Sequence, residues 1–471
     1  MPVRVIAKRE SPENKNNGQG ASRMKSNQVA VAASLSLLSL NGLAAGFLED
    51  SKSSVGLRTL YFENDSREAR SADQRQTAQG ARVDFVSGFT LGTVGFGLDV
   101  QGLLGSSLGG GIDHPSSATV NTVTPVDSNG SPVSSWTRTG GNLKARYSQS
   151  ELAVGTVLAP NLPILVANDS RVMPQNFEGG MLTSREWDGL ILTGGKLTQG
   201  ASRASSNYSG LSVSGGSKGS NAFTFVGGDW KPRTDLLLQY YHSHLENYYS
   251  QDFLGLVHVF NMVDHQSLKT DLRYFKSDSD GKNGSGGYFF NNAGGYADTP
   301  GKVDNKTWSA MFTYSLGSHA LMLGHQRVSD EGAMVYLSSG NVRGGNGRLE
   351  GQGGASVYLF TDSLINAFVR AGENTTFGQY SYDFAGAGAP GLKAYFVYLR
   401  GNDIKDATGG DKAYSEWERD IRLDYVLQGG PLKNLAFSLR RGNFRTEVPS
   451  AQGGIDYDQT RLYVNYTYAF K

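Results

Sequence analysis

Taken at every second position, the last residues of the chain fall into two rows. Leu462, Val464, Tyr466, Tyr468 and Phe470 form an apolar row, and Arg461, Tyr463, Asn465, Thr467 and Ala469 form the other. The alternation recurs along the chain. Val55, Leu57, Thr59 and Tyr61 alternate with Ser54, Gly56, Arg58 and Leu60; Leu143, Ala145 and Tyr147 with Lys144 and Arg146; Leu268, Thr270, Leu272 and Tyr274 with Lys269, Asp271 and Arg273. Further rows hold Phe96, Leu98 and Val100, then Trp308, Ala310, Phe312 and Tyr314, then Ile421, Leu423, Tyr425 and Leu427 opposite Arg422 and Asp424. A period of two marks a strand whose faces meet different surroundings. Every candidate helix is interrupted by glycine within a turn or two. The pattern predicts an all-β fold.

The connections predict how the strands are wired. Short ones carry tight-turn residues at 218–221, 229–235, 316–319 and 429–434, and long ones rich in Gly, Ser, Asn and Asp fall near 105–140, 276–306 and 328–356. Short turns at one end and long loops at the other describe a transmembrane antiparallel β-barrel. About 426 residues at ~10 per strand supply roughly 16 to 18 strands, enough to enclose an aqueous channel. A stack of β-sandwiches would need linkers that are absent from the sequence, and a solenoid would need a fixed repeat. Aromatic clusters such as "QYYHSHLENYY" and "YVNYTYAF" sit where a membrane-interface girdle would place them.

Composition narrows the chemistry. The chain has 471 residues, 62 glycines and no cysteine, which excludes disulfides, thiolate metal sites and cysteine nucleophiles. A mean hydropathy of −0.37 suits a barrel as well as a soluble protein, because half of each strand faces water. Met24-Lys25, the run "VAVAASLSLLSL" and the small residues Gly42, Ala44 and Ala45 read as a secretory signal cleaved after Ala44 or Ala45. Residues 1–23 are unlike a signal and are read as an extension before a start at Met24. The expected organisation is therefore 1–23 extension, 24–45 signal peptide and 46–471 barrel. Removing 1–45, with its six Lys/Arg and two acids, takes the net charge from +1 to −3. No global field then favours nucleic acid.

Several stretches resemble the OprD family of substrate-specific outer-membrane porins. These are "LPILVANDSRVMPQNFEGG" at 162–180, "YDFAGAGAPGLKAYFVYLRGNDI" at 382–404, "RDIRLDYVLQGGPLKNLAFSLRRGNFR" at 419–445 and the closing "RLYVNYTYAF". The resemblance implies a monomeric outer-membrane barrel of 18 strands, inserted by the barrel-assembly machinery and bathed in outer-membrane lipid. It also implies an inward-folded constriction loop and a narrow pore for small carboxylate-bearing solutes. Position by position, it implies a basic row of Arg58, Lys144, Arg146, Arg440 and Arg461. Asn64 stands where the family often has a further arginine, and Lys471 follows the terminal aromatic.

Alternation reaches the same row independently. If Leu143, Leu439 and Leu462 face lipid, then Lys144, Arg146, Arg440 and Arg461 face the lumen. On the lipid face each arginine would cost roughly 2–4 kcal/mol near mid-bilayer. Arg400 is added to the pore-lining set although it shares phase with Phe396 and Tyr398. A file of arginines can guide a carboxylate by two-point contacts; equally, lumenal cations can pair with Asp84, Asp271 and Asp424 and brace the wall. In 162–180, two prolines disfavour a strand. There Asp169, Ser170 and Arg171 either meet the solute or tie the loop to the barrel. None of the seven histidines adjoins a nucleophile motif; His242 and His244 lack a third metal ligand, and "VRGGNGR" at 342–348 reads as an external loop. The chain is expected to be no enzyme and to need no cofactor.

Overall fold

The computed structural model describes residues 46–470 apart from 68–71, 116–119, 293, 346, 348 and 350–353. The expected extension and signal peptide lie outside the described residues. Eighteen long strands run antiparallel. In chain order they are β1 Lys52–Ser66, β2 Gln74–Val86, β3 Val94–Ile112, β4 Ser135–Tyr147, β5 Ser150–Leu158 and β6 Asn176–Trp187. Next come β7 Leu190–Ala201, β8 Phe223–Arg233, β9 Leu236–Leu245, β10 Tyr249–Asn261, β11 Gln266–Ser279 and β12 Asp304–Leu316. The last six are β13 His319–Val328, β14 Asn374–Asp383, β15 Leu392–Lys405, β16 Ala413–Val426, β17 Ala436–Thr446 and β18 Tyr457–Ala469. Each pairs with the next, and β18 returns to β1 from Ser54↔Ala469 to Ser66↔Tyr457. One chain thereby closes its own barrel, leaving no sheet edge to satisfy.

The apolar surface is turned inside out relative to a soluble protein. Leu143 is 70% exposed, and Phe96, Leu254, Phe312, Leu323 and Ile421 line the same outer wall. An apolar surface of this extent is stable only against lipid. Among the described residues no helix is long and apolar enough to cross a membrane, so the strands are the crossing elements. The buried apolar residues lie within the lumen. There Phe177, Phe223, Tyr241, Phe253 and Phe275 of the wall pack against Leu337, Val357 and Leu359 of an infolded connection.

Several predicted boundaries move. The stretch 105–112, read as loop for its glycines, continues β3 because its backbone completes the ladder with β2. Residues 218–221 belong to the long connection 202–222 and join no two strands. The connection after β13 runs to residue 373, and its second half is apolar because it enters the barrel.

Candidate functional site

The connections 159–175 and 329–373 fold into the lumen, joined by Ser356 N–H donating to the Val166 carbonyl at 2.9 Å. Arg138 on β4, buried, ties the end of the first to the wall and to the connection 202–222. Its guanidinium donates to the Ser202 and Ser205 carbonyls at 2.9 and 3.0 Å, to Asn176 Oδ1 at 2.8 Å and to the Pro174 carbonyl. Glycines let both connections approach the wall. A Cβ at Gly80 would lie 2.6 Å from Val172 Cγ1 and 2.9 Å from its carbonyl oxygen, and one at Gly442 would lie 2.9 Å from Ile365 Cδ1. Replacing Gly80 by leucine should therefore lift the 159–175 loop and cost about 1–3 kcal/mol. At Gly102 a Cβ meets nothing within 4 Å. Gly102→Ala should leave the thermal transition, read by heat-dependent gel migration, where it is, while Gly80→Leu lowers it.

The sequence-predicted residues divide into four groups. Arg58 is engaged by the loop. It donates to Asp169 Oδ1 at 2.8 Å, Oδ2 at 3.2 Å and carbonyl at 3.1 Å, to the Arg171 carbonyl at 2.7 Å, and to Asn465 Oδ1 at 2.9 Å. Lys144 and Arg146 lie near the β4–β5 turn. Lys144 Nζ sits 2.7 Å from Asp99 and donates to the Ser87 carbonyl, while the exposed Arg146 lies over the Phe89 ring at 4.3 Å. Arg171, Arg440 and Arg461 gather with Ser170, whose carbonyl accepts from the Tyr463 hydroxyl at 3.0 Å. The expectation for Arg400 is corrected, because its side chain is exposed on the outer face with Phe396 and Tyr398 whereas Leu399 is buried inside. Its shared phase with those aromatics outweighs its charge at that height of the wall.

Within the third group, cations outnumber anions. Arg422, Arg440 and Arg461 stand directly opposite one another on β16, β17 and β18, an arrangement that costs stability when like charges face each other. Arg422 is neutralised by Asp424 at 2.6 Å. Arg440 has the Ser438 hydroxyl at 3.2 Å and the Tyr463 ring at 5.0 Å; Arg461 has Gln459 Oε1 at 2.6 Å and the Leu364 carbonyl. Arg171 donates to its neighbour Ser170 and, like Arg461, lies over the Phe62 ring. Arg203 donates to Ser170 Oγ at 2.6 Å and Asn168 Oδ1 at 3.3 Å. Among the described residues none of these four forms an ion pair.

Burial and the nearby Arg461 push the Arg203 guanidinium down to about 10, which leaves it charged at neutral pH. Burial, then Arg461 and Arg203, lower that of Arg171. Burial also pushes the neighbouring Asp362 carboxyl up, against the pull of Arg203 and Arg461. Two cavities adjoin this region. One of about 350 Å³ is lined by Arg58, Arg82, Asp84, Asp169 and Asn465, and one of about 310 Å³ by Asp362, Tyr395, Asp420, Arg422 and Arg440.

The bracing acids named from sequence do pair, but with other arginines two residues away: Asp84 with Arg82, Asp271 with Arg273, Asp424 with Arg422. Sequence reasoning passed over Arg138 and Arg203. Arg138 continues the Lys144 row across Gly140 and Asn142, and extending that row finds it. Arg203 lies in a Ser-rich connection and carries no periodic signal.

Comparison with known proteins places this architecture. Residues 45–470 match the family described as outer membrane porin, OprD family. Porin D of Pseudomonas aeruginosa is 31% identical over 453 residues, covering 94% of this chain and 95% of that protein. Porin-like protein GalP of Pseudomonas putida is 31% identical over 443 residues, covering 93% and 96%. Among solved structures, Pseudomonas aeruginosa OccK8 (OprE) superposes with a TM-score of 0.79 at 40% identity, covering 90% of this chain and 100% of that one. Pseudomonas aeruginosa OpdK, solved with vanillate, gives 0.77 at 30% identity with the same coverage.

Proposed function

Since this chain belongs to the OprD family of outer-membrane porins, we propose that its channel selects small carboxylate-bearing solutes and passes them along the arginines of its constriction. One observation carries this reading. Arg171, Arg203, Arg440 and Arg461 converge on the infolded loops, each hydrogen-bonded to neutral acceptors and, among the described residues, none in an ion pair. Cations held without counter-ions in a narrow, low-dielectric passage attract an anion from solution. Guanidinium forks suit a carboxylate because they offer two parallel donors. That OpdK was solved with vanillate, an aromatic acid, agrees with this chemistry. Arg146 at the short-turn mouth and Arg58 beside the first cavity would extend the path at either side. Arg58 and Lys144 contribute weaker fields, since Asp169 and Asp99 already neutralise them.

Relatives of this chain are channels and carry out no chemistry on their solutes. The self-closed barrel needs no partner strand, so we take the monomer as the working unit. Export by a cleaved signal and insertion by the barrel-assembly machinery belong to the same proposal.

Liposome swelling tests the selectivity. Benzoate should enter at least about fivefold faster than benzamide, a neutral solute of the same size. Equal rates would reduce the protein to a general, weakly selective porin.

A further inference from the structure

A second group of arginines faces away from the pore. Arg400 on β15, Arg419 on β16, and Arg441 and Arg445 on β17 lie on the outer wall, Arg400 and Arg445 toward the ends of their strands that lead into the connections 406–412 and 447–456 and Arg419 and Arg441 nearer the middle of theirs. The register gathers them around one indole. Trp417 stands directly opposite Arg400 on one side and Arg445 on the other, and Arg419 follows it by two residues on the same face. Tyr398 stacks on Trp417 at 6.4 Å. Beyond this group the outer face is apolar, with Phe396, Ile421, Leu423, Leu439 and Leu462 all exposed.

The acids nearby are already shared. Asp458 receives Arg445 at 2.9 Å, Arg441 at 3.5 Å and Arg67 at 3.8 Å, and Asp456 lies 3.8 Å from Arg445. Arg67 also holds Asp65 at 3.3 Å. Arg419 donates to Asn443 Oδ1 at 2.8 Å, and Asn443 in turn donates to Asp458 at 2.7 Å. Arg400 and Arg419 are exposed and neither has a carboxylate partner among the described residues. Two guanidinium groups without a carboxylate partner among the described residues thus lie beside an indole on the lipid-facing wall.

Tryptophan and tyrosine sit at headgroup level in membrane proteins, which sets these arginines at the depth of lipid headgroups rather than acyl chains. The loops mark this as the outward end of the barrel. The guanidinium fork matches phosphate oxygens, and the apolar rows beneath match acyl chains. From this juxtaposition we infer that Arg400 and Arg419, beside Trp417, bind a phosphate group of a phosphorylated glycolipid in the outer leaflet. Arg441 and Arg445 contribute the surrounding positive field. Both the affinity and the register of the lipid then depend on the phosphate.

The refolded full chain tests this by native mass spectrometry and by titration with four probes. These are a bisphosphorylated lipid A, the same glycolipid stripped of phosphate, phosphatidylglycerol, and inorganic phosphate. The expected result is one retained lipid A per barrel, with affinity falling at least about tenfold for the stripped glycolipid and for the double variant Arg400→Gln/Arg419→Gln. Both changes lie on the outer surface away from the pore, and unchanged heat-dependent migration and benzoate uptake would verify that the variant is folded. Equal retention by the variant or of the stripped glycolipid would overturn the proposal. So would phosphatidylglycerol or free phosphate binding as tightly as lipid A, or a dimer of this chain that the two substitutions dissolve.

Discussion

Replacing Arg440 by glutamate is expected to lower benzoate flux by roughly 10–100-fold while changing benzamide flux by less than about threefold. The guanidinium borders the 310 Å³ cavity, and its neighbours across both strand ladders are also arginines. At an effective dielectric near 20, a unit charge about 4 Å away contributes on the order of 4 kcal/mol. Water and ions in the lumen screen part of this, and each ~1.4 kcal/mol that survives is a tenfold change. Misfolding would not account for the loss. A glutamate between Arg422 and Arg461 replaces two like-charge contacts with opposite-charge ones, so the barrel should melt no earlier. The measurement is paired single-channel conductance and liposome swelling; equal loss for acid and amide would sink the role assigned to this arginine.

Arg138→Ala should open the constriction without unfolding the wall. The substitution removes hydrogen bonds donated to Ser202, Ser205, Pro174 and Asn176. Of these only the Pro174 bond reaches the 159–175 loop; a hydrogen bond from a charged donor is worth about 1.5–3 kcal/mol, roughly ten- to a hundredfold in the ratio of seated to released loop. The strands keep their ladders, so outer-membrane yield should be near that of the parent. Planar-bilayer recordings should show conductance raised about twofold or more, noisier openings, and a weaker preference for benzoate. A quiet channel of unchanged conductance would mean that the loop is held by Arg58 and Gly80 packing instead.

Much of the wall was legible in the alternation alone. Leu143 against Lys144, Leu439 against Arg440 and Leu462 against Arg461 separate onto the two faces that their polarity predicts, because adjacent strand residues point to opposite sides and a charge facing acyl chains is costly. Arg400 shows the rule applied against itself. Its phase already assigned it to the outer face, and grouping it with the other arginines by charge gave the wrong side. Glycine was less informative. In 105–112 it reads as loop, yet the β2 ladder keeps it in a strand, since a ladder needs backbone groups rather than side chains.

The arginine cluster was not legible in this way. Nothing local announces that Arg422, Arg440 and Arg461 share one row, since that depends on the stagger of three strands fixed by closure of the whole barrel. Nor does the sequence near 203 or 362 say that those segments enter the lumen. The one-dimensional pattern determined which face of each strand meets lipid and which meets water, because that choice is made residue by residue against the bilayer. Only the tertiary structure decided which charges meet, which are neutralised and which stay open to a solute, because those outcomes depend on cross-strand register and on loops returning across more than a hundred residues of chain, as Arg58 does to Asp169.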